Sequence, residues 1–111
     1  MGDSLYPEFI KNLPEADLPI EKVVGYLFQG NQGQICFFDF APGVDVPAHS
    51  HGNQWGVVLE GEMSLTIGGE TRIMRKGDSY YIPAGVEHSA KFDKACKVLD
   101  LFEDVDRYKS K

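Results

Sequence analysis

The residues of this sequence best suited to metal chemistry are its three histidines, His49, His51 and His88. His49 and His51 stand two positions apart, so on an extended backbone their side chains point to the same face. Neutral imidazole is the commonest protein ligand of divalent transition metals. The His-x-His pair therefore predicts half of a metal site. Such pairs also arise without a metal, and the surrounding sequence decides between the two interpretations.

The histidines lie in two segments with regularly placed glycines. The first segment is Gly43–His51, followed by Gln54 and then by Gly61, and the second is Gly77–His88. Their spacing resembles the two signature motifs of the cupin superfamily, which place a His-x-His pair in the first motif and a Pro-x-Gly turn before a histidine in the second. The resemblance extends over Gly43–Phe92, about the middle half of the chain. All three histidines fall on the ligand positions of those motifs.

This resemblance implies a small jelly-roll barrel with a metal ion in its mouth, held by His49, His51 and His88. The sequence departs from the cupin pattern at two positions, because Gln54 replaces a glutamate and Phe92 replaces an asparagine. Gln54 also follows His51 after a shorter loop than the pattern has. We expect Gln54 to be the fourth ligand, and the alternative is that its amide orients a histidine.

The neutrality of these four ligands determines what the site would do. Three imidazoles and one amide oxygen leave a divalent ion its full double charge, whereas a glutamate ligand would reduce that charge by one unit. A metal of this kind is a strong Lewis acid and attracts anionic molecules. Mixed nitrogen and oxygen ligands suit one divalent transition metal, which could be Fe, Mn, Ni, Co, Zn or Cu.

Asp100 is a candidate acid or base beside the metal. It shares one face of the last predicted strand with Val98 and Phe102, so an inward-facing Asp100 would be a desolvated carboxylate of the kind that serves as a general base. If Leu99 and Leu101 face inward instead, Asp100 is a solvated surface residue. The sequence leaves both orientations open.

A tyrosine and an arginine complete the candidate catalytic residues. Tyr80 and Tyr81 are consecutive on a predicted strand, so one of them faces inward. We assign the catalytic role to Tyr81, with ordinary packing as the alternative for each tyrosine. Arg107 follows Asp100 in the chain. The cupins that convert unsaturated uronates during pectin breakdown have an aspartate and an arginine in the same order. This resemblance is weak, because the spacing of the two residues differs. The alternative for Arg107 is a position in a solvated turn.

The elements that must position these residues are β-strands. Segments rich in β-branched and aromatic residues alternate with turn signals about every 8–12 residues, which is typical of all-β sandwiches and barrels. Gly68-Gly69 joins two alternating segments and predicts a two-residue hairpin. Strands are expected at 23–28, 34–40, 62–67, 70–74 and 97–102.

The predicted fold is all-β and antiparallel, a double-stranded β-helix or jelly-roll barrel, because no helical periodicity is long enough for a crossover helix. The barrel covers residues 20–103, between an N-terminal arm at 1–19 and a C-terminal tail at 104–111. We expect a short strand or turn around Glu8–Leu13 in the arm. Asp104–Lys109 is the one segment that could form a helical turn.

The composition disfavours several classes of partner. The chain has 111 residues, enough for one domain, and its 17 acidic against 11 basic residues give a net charge of −6. This balance disfavours binding to nucleic acid or to anionic membranes. The start of the chain lacks the basic and apolar regions of a secretory leader, so we expect a cytoplasmic protein. Cys36 and Cys96 are expected to be buried and unpaired.

These observations favour a metal-dependent enzyme, an isomerase, lyase or dioxygenase, that acts on a small anionic organic molecule. One alternative is a cupin that binds a metal or small ligand without turnover, and another is a barrel in which the metal is only structural. We also expect a homodimer, because a small barrel cannot bury both faces of a strand that carries Phe37, Phe38 and Phe40.

Overall fold

The computed structural model describes residues 5–111. These residues form one short helix and eight strands. The helix, α1, covers Glu8–Lys11. The strands are β1 (Val23–Gln29), β2 (Gln34–Phe40), β3 (Val44–His49), β4 (Gln54–Ile67), β5 (Glu70–Arg75), β6 (Ser79–Ile82), β7 (His88–Phe92) and β8 (Cys96–Phe102). The first four residues, on which part of the argument about a leader rests, lie outside the described range.

The sheet curls into a half-barrel because one long strand takes part in both of its layers. The strand order is β1-β2-β8-β4-β7-β3, and β5 and β6 also pair with β4. The first half of β4 pairs with β6 and β8, and its second half pairs with β5 and β7. The register with β8 shifts between Val58 and Glu60, and such an irregularity bends a strand. All pairings are antiparallel, so the predicted fold class is confirmed.

The predicted hairpin is present between β4 and β5. Gly68 and Gly69 have φ angles of 57° and 86°, a left-handed conformation that favours glycine at both central positions of the turn. The Thr66 and Thr71 hydroxyls are 2.7 Å apart across the strands that the turn joins. The strands predicted at 23–28, 34–40 and 97–102 are confirmed as β1, β2 and β8, each within one residue at its ends.

Two local predictions are wrong. Residues 8–11 form a helix rather than a strand or turn, because Pro7 has the φ that suits a helix start and Glu8 and Lys11 place favourable charges at the two ends. The Pro7 carbonyl accepts hydrogen bonds from Ile10 and Lys11. Residues 104–109 contain a turn and no helix, since their polar groups bond to the barrel instead.

The C-terminal tail is docked on the barrel and on the N-terminal arm. The Gln34 side chain, buried at the start of β2, donates from Nε2 to the Tyr108 carbonyl at 2.8 Å. Its Oε1 accepts from the Tyr108 N–H at 3.0 Å. The Asp17 N–H donates to the Lys109 carbonyl at 2.7 Å, which joins the arm to the tail. The tail is therefore part of the folded unit.

Alternation along β2 separates the core from the outer surface. Phe38 and Phe40 are buried in the core with their rings stacked at 5.2 Å between centroids. Phe37 faces outward, and its ring lies 5.7 Å from that of Tyr6 in the N-terminal arm. The outer face of β2 is thus partly covered by this chain's own arm.

Two further expectations concern the cysteines and membranes. Cys36 and Cys96 are buried and unpaired, as predicted. Among residues 5–111 no helix is long and apolar enough to cross a membrane.

The contacts between Gln34 and Tyr108 yield a prediction about stability. Alanine at position 34 leaves the partly buried N–H and C=O of Tyr108 without their partners, and the loss of a partner at a buried group costs about 1–3 kcal/mol. We expect Gln34→Ala to lower the free energy of unfolding by about 2–4 kcal/mol, measured by urea denaturation. Gln32→Ala, in the exposed loop after β1, is the control and should change it by less than about 0.5 kcal/mol. Equal effects of the two variants would contradict this account of the tail.

Candidate metal centre

A cavity of about 580 Å³ lies inside the barrel. Much of its wall is apolar and comes from the inner faces of the strands: Phe38, Phe40, Met63, Leu65, Phe92, Val98 and Phe102. Residues 17–20, where the arm meets the barrel, and residues 106–109 of the tail also line it. It contains six of the seven residues that the sequence analysis assigned to the site: His49, His51, Gln54, His88, Asp100 and Arg107. An apolar wall with a few convergent polar groups is typical of a small-molecule site.

Strands β3 and β7 bring the three histidines together. His49 ends β3 and is the cross-strand partner of His88, the first residue of β7. His51 reaches the same place from the loop after β3, rather than from the strand itself. The ligand nitrogens of the three side chains lie within 4.8 Å of one another, a separation at which they could hold one metal ion.

Hydrogen bonds to backbone carbonyls set the tautomer of each imidazole. Nδ1 of each ring lies 2.8–3.0 Å from the carbonyl oxygen of Pro47, Gly52 or Val86. A carbonyl only accepts, so each Nδ1 carries the hydrogen and each Nε2 keeps its lone pair. Nε2 of His51 and of His88 is buried without a hydrogen-bond partner among residues 5–111. Two buried lone pairs without a donor are costly for a protein alone, and they are what a divalent transition metal binds.

Burial holds His51 and His88 in their neutral form. The pKa of His88 is lowered to about 4, mainly because burial disfavours the imidazolium and then because the charges of His49, His51 and Arg107 oppose it. Burial is also the main reason that the pKa of His51 is lowered. Because metals bind neutral imidazole, these two side chains are ready to bind at neutral pH.

Asp100, whose orientation the sequence left open, faces the cavity. It is buried on the inner face of β8 with Val98 and Phe102. Tyr80 Oη donates to Asp100 Oδ1 at 2.7 Å, and the Gln54 side chain also hydrogen-bonds with this carboxyl. Burial raises the pKa of Asp100 to about 6, although both hydrogen bonds act to lower it. A carboxyl with this pKa can exchange a proton near neutral pH.

Tyr80, not Tyr81, is the tyrosine in the cavity. Alternation along β6 buries Tyr80 and Ile82 and leaves Tyr81 56% exposed on the outside. There the Tyr81 hydroxyl donates to Asn53 Oδ1 at 2.8 Å. The assignment of Tyr81 to the site therefore chose the wrong face of β6, and Tyr80 takes its place.

Gly56 is a site residue that the sequence analysis missed. It lies on β4, directly across from Tyr80 of β6 on one side and from Asp100 of β8 on the other. A Cβ at this position would collide with Asp100 Oδ1 and with the Tyr80 ring and hydroxyl. Glycine is therefore required for the tyrosine and the carboxyl to meet. The one local signal is that this glycine interrupts the apolar segment at residues 55–59, next to Gln54.

Arg107 reaches the cavity from the tail. Its Cζ lies 4.5 Å from the centroid of the Tyr108 ring, a cation–π contact. Its Nε is buried and has no acceptor in the part of the chain that the structure describes. The charge of Arg107 contributes to the lowered pKa of His51 and of His88. The tail thus supplies a cation with an available donor rather than a solvated turn.

These pKa shifts predict how the stability of the metal-free protein depends on pH. His88 has a pKa of about 4 in the folded protein, whereas a histidine in the unfolded chain has a pKa of about 6.5. Between these two pH values the unfolded chain binds a proton that the folded chain does not. The free energy of unfolding therefore falls as the pH is lowered. Asp100 acts in the opposite sense below its pKa of about 6, because its buried carboxyl takes up a proton more readily than in the unfolded chain. We expect His88→Gln to reduce the loss of stability between about pH 6.5 and 4 and Asp100→Asn to increase it.

The measurement is urea unfolding of chelator-treated protein at a series of pH values. Asp93→Asn, in an exposed turn, is the control for Asp100→Asn and should leave the pH dependence as in the wild type. A His88→Gln variant with the wild-type pH dependence would contradict the assigned burial effect.

Comparison with known proteins is consistent with this geometry. The cupin domain family model matches residues 36–102, which include all of the candidate metal ligands. Mannose-1-phosphate guanylyltransferase of Escherichia coli is 47% identical over 36 residues, which are 32% of this chain and 8% of that protein. The chain therefore spans less than a tenth of that relative.

Solved structures share the fold. An RmlC-like cupin from Shewanella frigidimarina has a TM-score of 0.77 at 21% identity, over 85% of this chain and 86% of that one. KdgF from Halomonas sp. has a TM-score of 0.70 at 18% identity, over 82% and 87%. Salicylate 1,2-dioxygenase from Pseudoaminobacter salicylatoxidans has a TM-score of 0.71 at 16% identity, over 78% of this chain and 26% of that one. Likeness at these identities shows the fold alone, whereas the family model covers more than half of the sequence. This chain belongs to the cupin domain family.

Proposed function

We propose that the protein is a metal-dependent enzyme, an isomerase, lyase or dioxygenase, that acts on a small anionic organic molecule. The observation that carries this proposal is that two buried imidazole nitrogens without partners share one cavity with the buried Tyr80–Asp100 pair. A purely structural metal does not need a proton-exchanging carboxyl beside it. Groups with shifted pKa values that converge in a cavity are typical of active sites.

His49, His51 and His88 would hold one divalent transition metal through Nε2, and Gln54 would add its amide oxygen. The Gln54 amide donates to Asp100 through its nitrogen, which keeps its oxygen for the metal. The bound ion would supply Lewis acidity to a carbonyl or carboxylate oxygen of the substrate. The donor set suits Fe, Mn, Ni, Co, Zn or Cu.

Asp100 is the group that would move a proton. Its pKa of about 6 keeps both the acid and the carboxylate populated near neutral pH, as a general acid or base requires. Tyr80 holds the carboxyl in place through its hydroxyl. Burial and the neighbouring carboxylate raise the pKa of Tyr80 well above its ordinary value, so Tyr80 stays protonated and acts as a positioning residue.

Arg107 would bind the anionic part of the substrate. A guanidinium forms paired hydrogen bonds with a carboxylate, and the buried Nε of Arg107 is a donor that this interaction would use. A molecule with a carboxylate for Arg107 and a carbonyl or hydroxyl oxygen for the metal meets both requirements. Small keto acids and uronic acids have these groups, and they are the substrate class that we propose.

The second candidate function is a module that binds a metal or small ligand without turnover. The apolar wall of the cavity favours it, since Phe40, Met63 and Phe92 offer packing surface and no catalytic group. Residues 17–20 and 106–109 add to the lining of the cavity, which is also compatible with retention of a ligand. Turnover by the metal-loaded protein distinguishes the two candidates.

Metal binding is expected to depend on the histidines. His49→Ala and His88→Ala should each lower the affinity by more than about 100-fold, measured by chelator competition with untagged protein offered Mn, Fe, Co, Ni, Cu and Zn separately. Gln54→Glu should keep or raise the affinity, because it adds a negative charge beside the ion. Gln32→Ala is the surface control. A wild-type protein that retains none of the six metals would refute the site.

The metal affinity measured in this way is also expected to depend on pH. Protons compete with the metal for Nε2, so the affinity falls in acid. For His88 the competition sets in near its pKa of about 4 rather than near the ordinary value, because the folded protein already disfavours the imidazolium. Gln54→Glu should make the affinity more sensitive to acid, since a carboxylate ligand beside Asp100 competes for protons as well.

Substitutions of Asp100 and of Arg107 are expected to affect different kinetic constants, kcat for Asp100 and KM for Arg107. With metal-loaded protein and a panel of small keto and uronic acids followed by NMR, Asp100→Asn should lower kcat by about 100-fold or more with little change in KM. Arg107→Gln should mainly raise KM. Arg72→Gln, on the exposed surface of β5, is the matched control. Saturable binding of a panel member by calorimetry without turnover would favour the non-catalytic module.

A further inference from the structure

Two neighbouring loops determine where two of the candidate metal ligands lie. Residues 50–53 join β3 to β4 and include His51, and we call them the first loop. Residues 83–87 join β6 to β7 and end next to His88, and we call them the second loop. One ion can bind both imidazoles only if their separation is fixed, so the two loops must be held together.

The side chain of Asn53 joins the two loops. It lies at the end of the first loop, and its Oδ1 accepts a hydrogen bond from the Ala84 N–H of the second loop at 2.8 Å. The same oxygen accepts from the Tyr81 hydroxyl at 2.8 Å. The Gly85 N–H, next along the second loop, donates to the His51 carbonyl at 2.8 Å. Two consecutive N–H groups of the second loop are thereby bound to the first loop.

Asn53 also joins both loops to the segment that follows β8. Its Nδ2 donates to Glu103 Oε1 at 2.7 Å, and its carbonyl accepts from the Glu103 N–H at 2.9 Å. The next residue, Asp104, accepts from the Gly52 N–H through Oδ2 at 2.8 Å. Arg107 follows in the same tail. The two loops and the segment that leads to Arg107 therefore meet at one amide.

The partners of Asn53 allow its amide one orientation. A backbone N–H only donates, so the atom that faces Ala84 must be the oxygen. A carboxylate only accepts, so the atom that faces Glu103 must be the nitrogen. Rotation of the amide by half a turn would place two donors together at one end and two acceptors at the other. The side chain is therefore locked between the second loop and the tail.

Each loop passes its position on to an imidazole through a carbonyl oxygen. The Gly52 carbonyl, which accepts from His51 Nδ1, belongs to the peptide unit that Gly52 shares with Asn53. The Val86 carbonyl, which accepts from His88 Nδ1, lies two residues beyond the N–H that Asn53 binds. A displacement of Asn53 would therefore turn both rings. Groups that orient metal-binding histidines in this way contribute about 10–100-fold to metal affinity.

We propose that Asn53 is a positioning residue of the metal centre, which holds His51 and His88 in the arrangement that one ion requires. This inference rests on the proposed function, because it takes the imidazoles to be metal ligands. Asn53 does not bind the ion itself, since its amide oxygen and nitrogen are occupied by partners in the protein. A purely structural role would change the free energy of unfolding and leave the coordination of the metal unaltered.

The test replaces the donor of this amide by an acceptor. Asn53→Asp keeps an oxygen for the Ala84 N–H, but it places a second oxygen where Nδ2 lies 2.7 Å from Glu103 Oε1. Two carboxylates at this separation repel each other, so the first loop should move. We expect Asn53→Asp to lower the affinity for Co²⁺ by about 10–100-fold in chelator competition. The visible absorption spectrum of the fully loaded protein, which reports the arrangement of ligands around Co²⁺, should also change.

Glu103→Gln supplies the control and the rescue. Alone, it still offers an amide oxygen to Asn53 Nδ2, so affinity and spectrum should stay close to those of the wild type. Combined with Asn53→Asp, it exchanges donor and acceptor between the two side chains and should restore both measurements. Asn31→Asp makes the same chemical change in the exposed loop between β1 and β2, and it should bind Co²⁺ as the wild type does.

A measurement on metal-free protein separates this inference from the proposed function. The ring-nitrogen NMR signals of His51 and His88 should shift in Asn53→Asp and return in the double variant. A wild type that binds no metal refutes the proposed function, and the ring signals then decide whether Asn53 positions the imidazoles.

The inference is overturned if Asn53→Asp leaves the ring signals unchanged, or if a metal-binding wild type and Asn53→Asp share the same Co²⁺ affinity and spectrum. It is equally overturned if the double variant restores neither. Should Asn53→Asp lose the circular dichroism of the wild type, Asn53→Ala removes the amide without adding a charge, and the same outcomes apply to it.

Discussion

The constraint on which the rest of this structure depends is the burial of one carboxyl group, that of Asp100, inside a largely apolar barrel. The Asp100 side chain is buried, and its hydrogen-bond partners, Tyr80 and Gln54, are both neutral. Neutral donors offset only part of the cost of burying a charge, so the pKa stays raised. The geometry also requires Gly56, because any side chain there would occupy the space in which tyrosine and carboxyl meet. The result is a group that changes its protonation state rather than a fixed counter-ion.

The same three strands carry the site on one face and exposed apolar side chains on the other. Consecutive residues of β4, β6 and β8 alternate between the two faces, in the pairs Gln54–Trp55, Tyr80–Tyr81 and Asp100–Leu101. Because side chains alternate with a period of two, a register slip of one residue would exchange both sets at once. The burial of the inner set therefore fixes the exposure of the outer one. The exposure of Trp55, Tyr81 and Leu101 therefore follows from the inward position of their neighbours in the chain.

The parts of the fold that the sequence revealed are those governed by local constraints. The Gly68-Gly69 turn was predictable because its backbone conformation favours glycine, and the histidines were predictable because metal ligands need fixed spacings. For a short strand, the face that points into the core was not predictable from the sequence. β6 has four residues, too few for its own pattern to show which of Tyr80 and Tyr81 faces the core, and the register with β4 decides it. The role of Gly56 is invisible for the same reason, since it arises from residues on two other strands.

The charges of the cavity bear on the proposed binding of a metal and an anionic molecule. The lowered pKa values of His51 and His88 keep these two imidazoles neutral, and a neutral imidazole does not balance the charge of Arg107. Asp17 and Asp106 also line the cavity but are exposed, so among residues 5–111 Asp100 is the one buried carboxyl there, and its raised pKa makes it an incomplete counter-charge near neutral pH. A divalent ion at the imidazoles would add two further positive charges in a largely apolar enclosure, where unbalanced charge is costly. An anionic molecule that contacts both the ion and Arg107 would restore the balance, and for this reason the proposed substrate class is anionic.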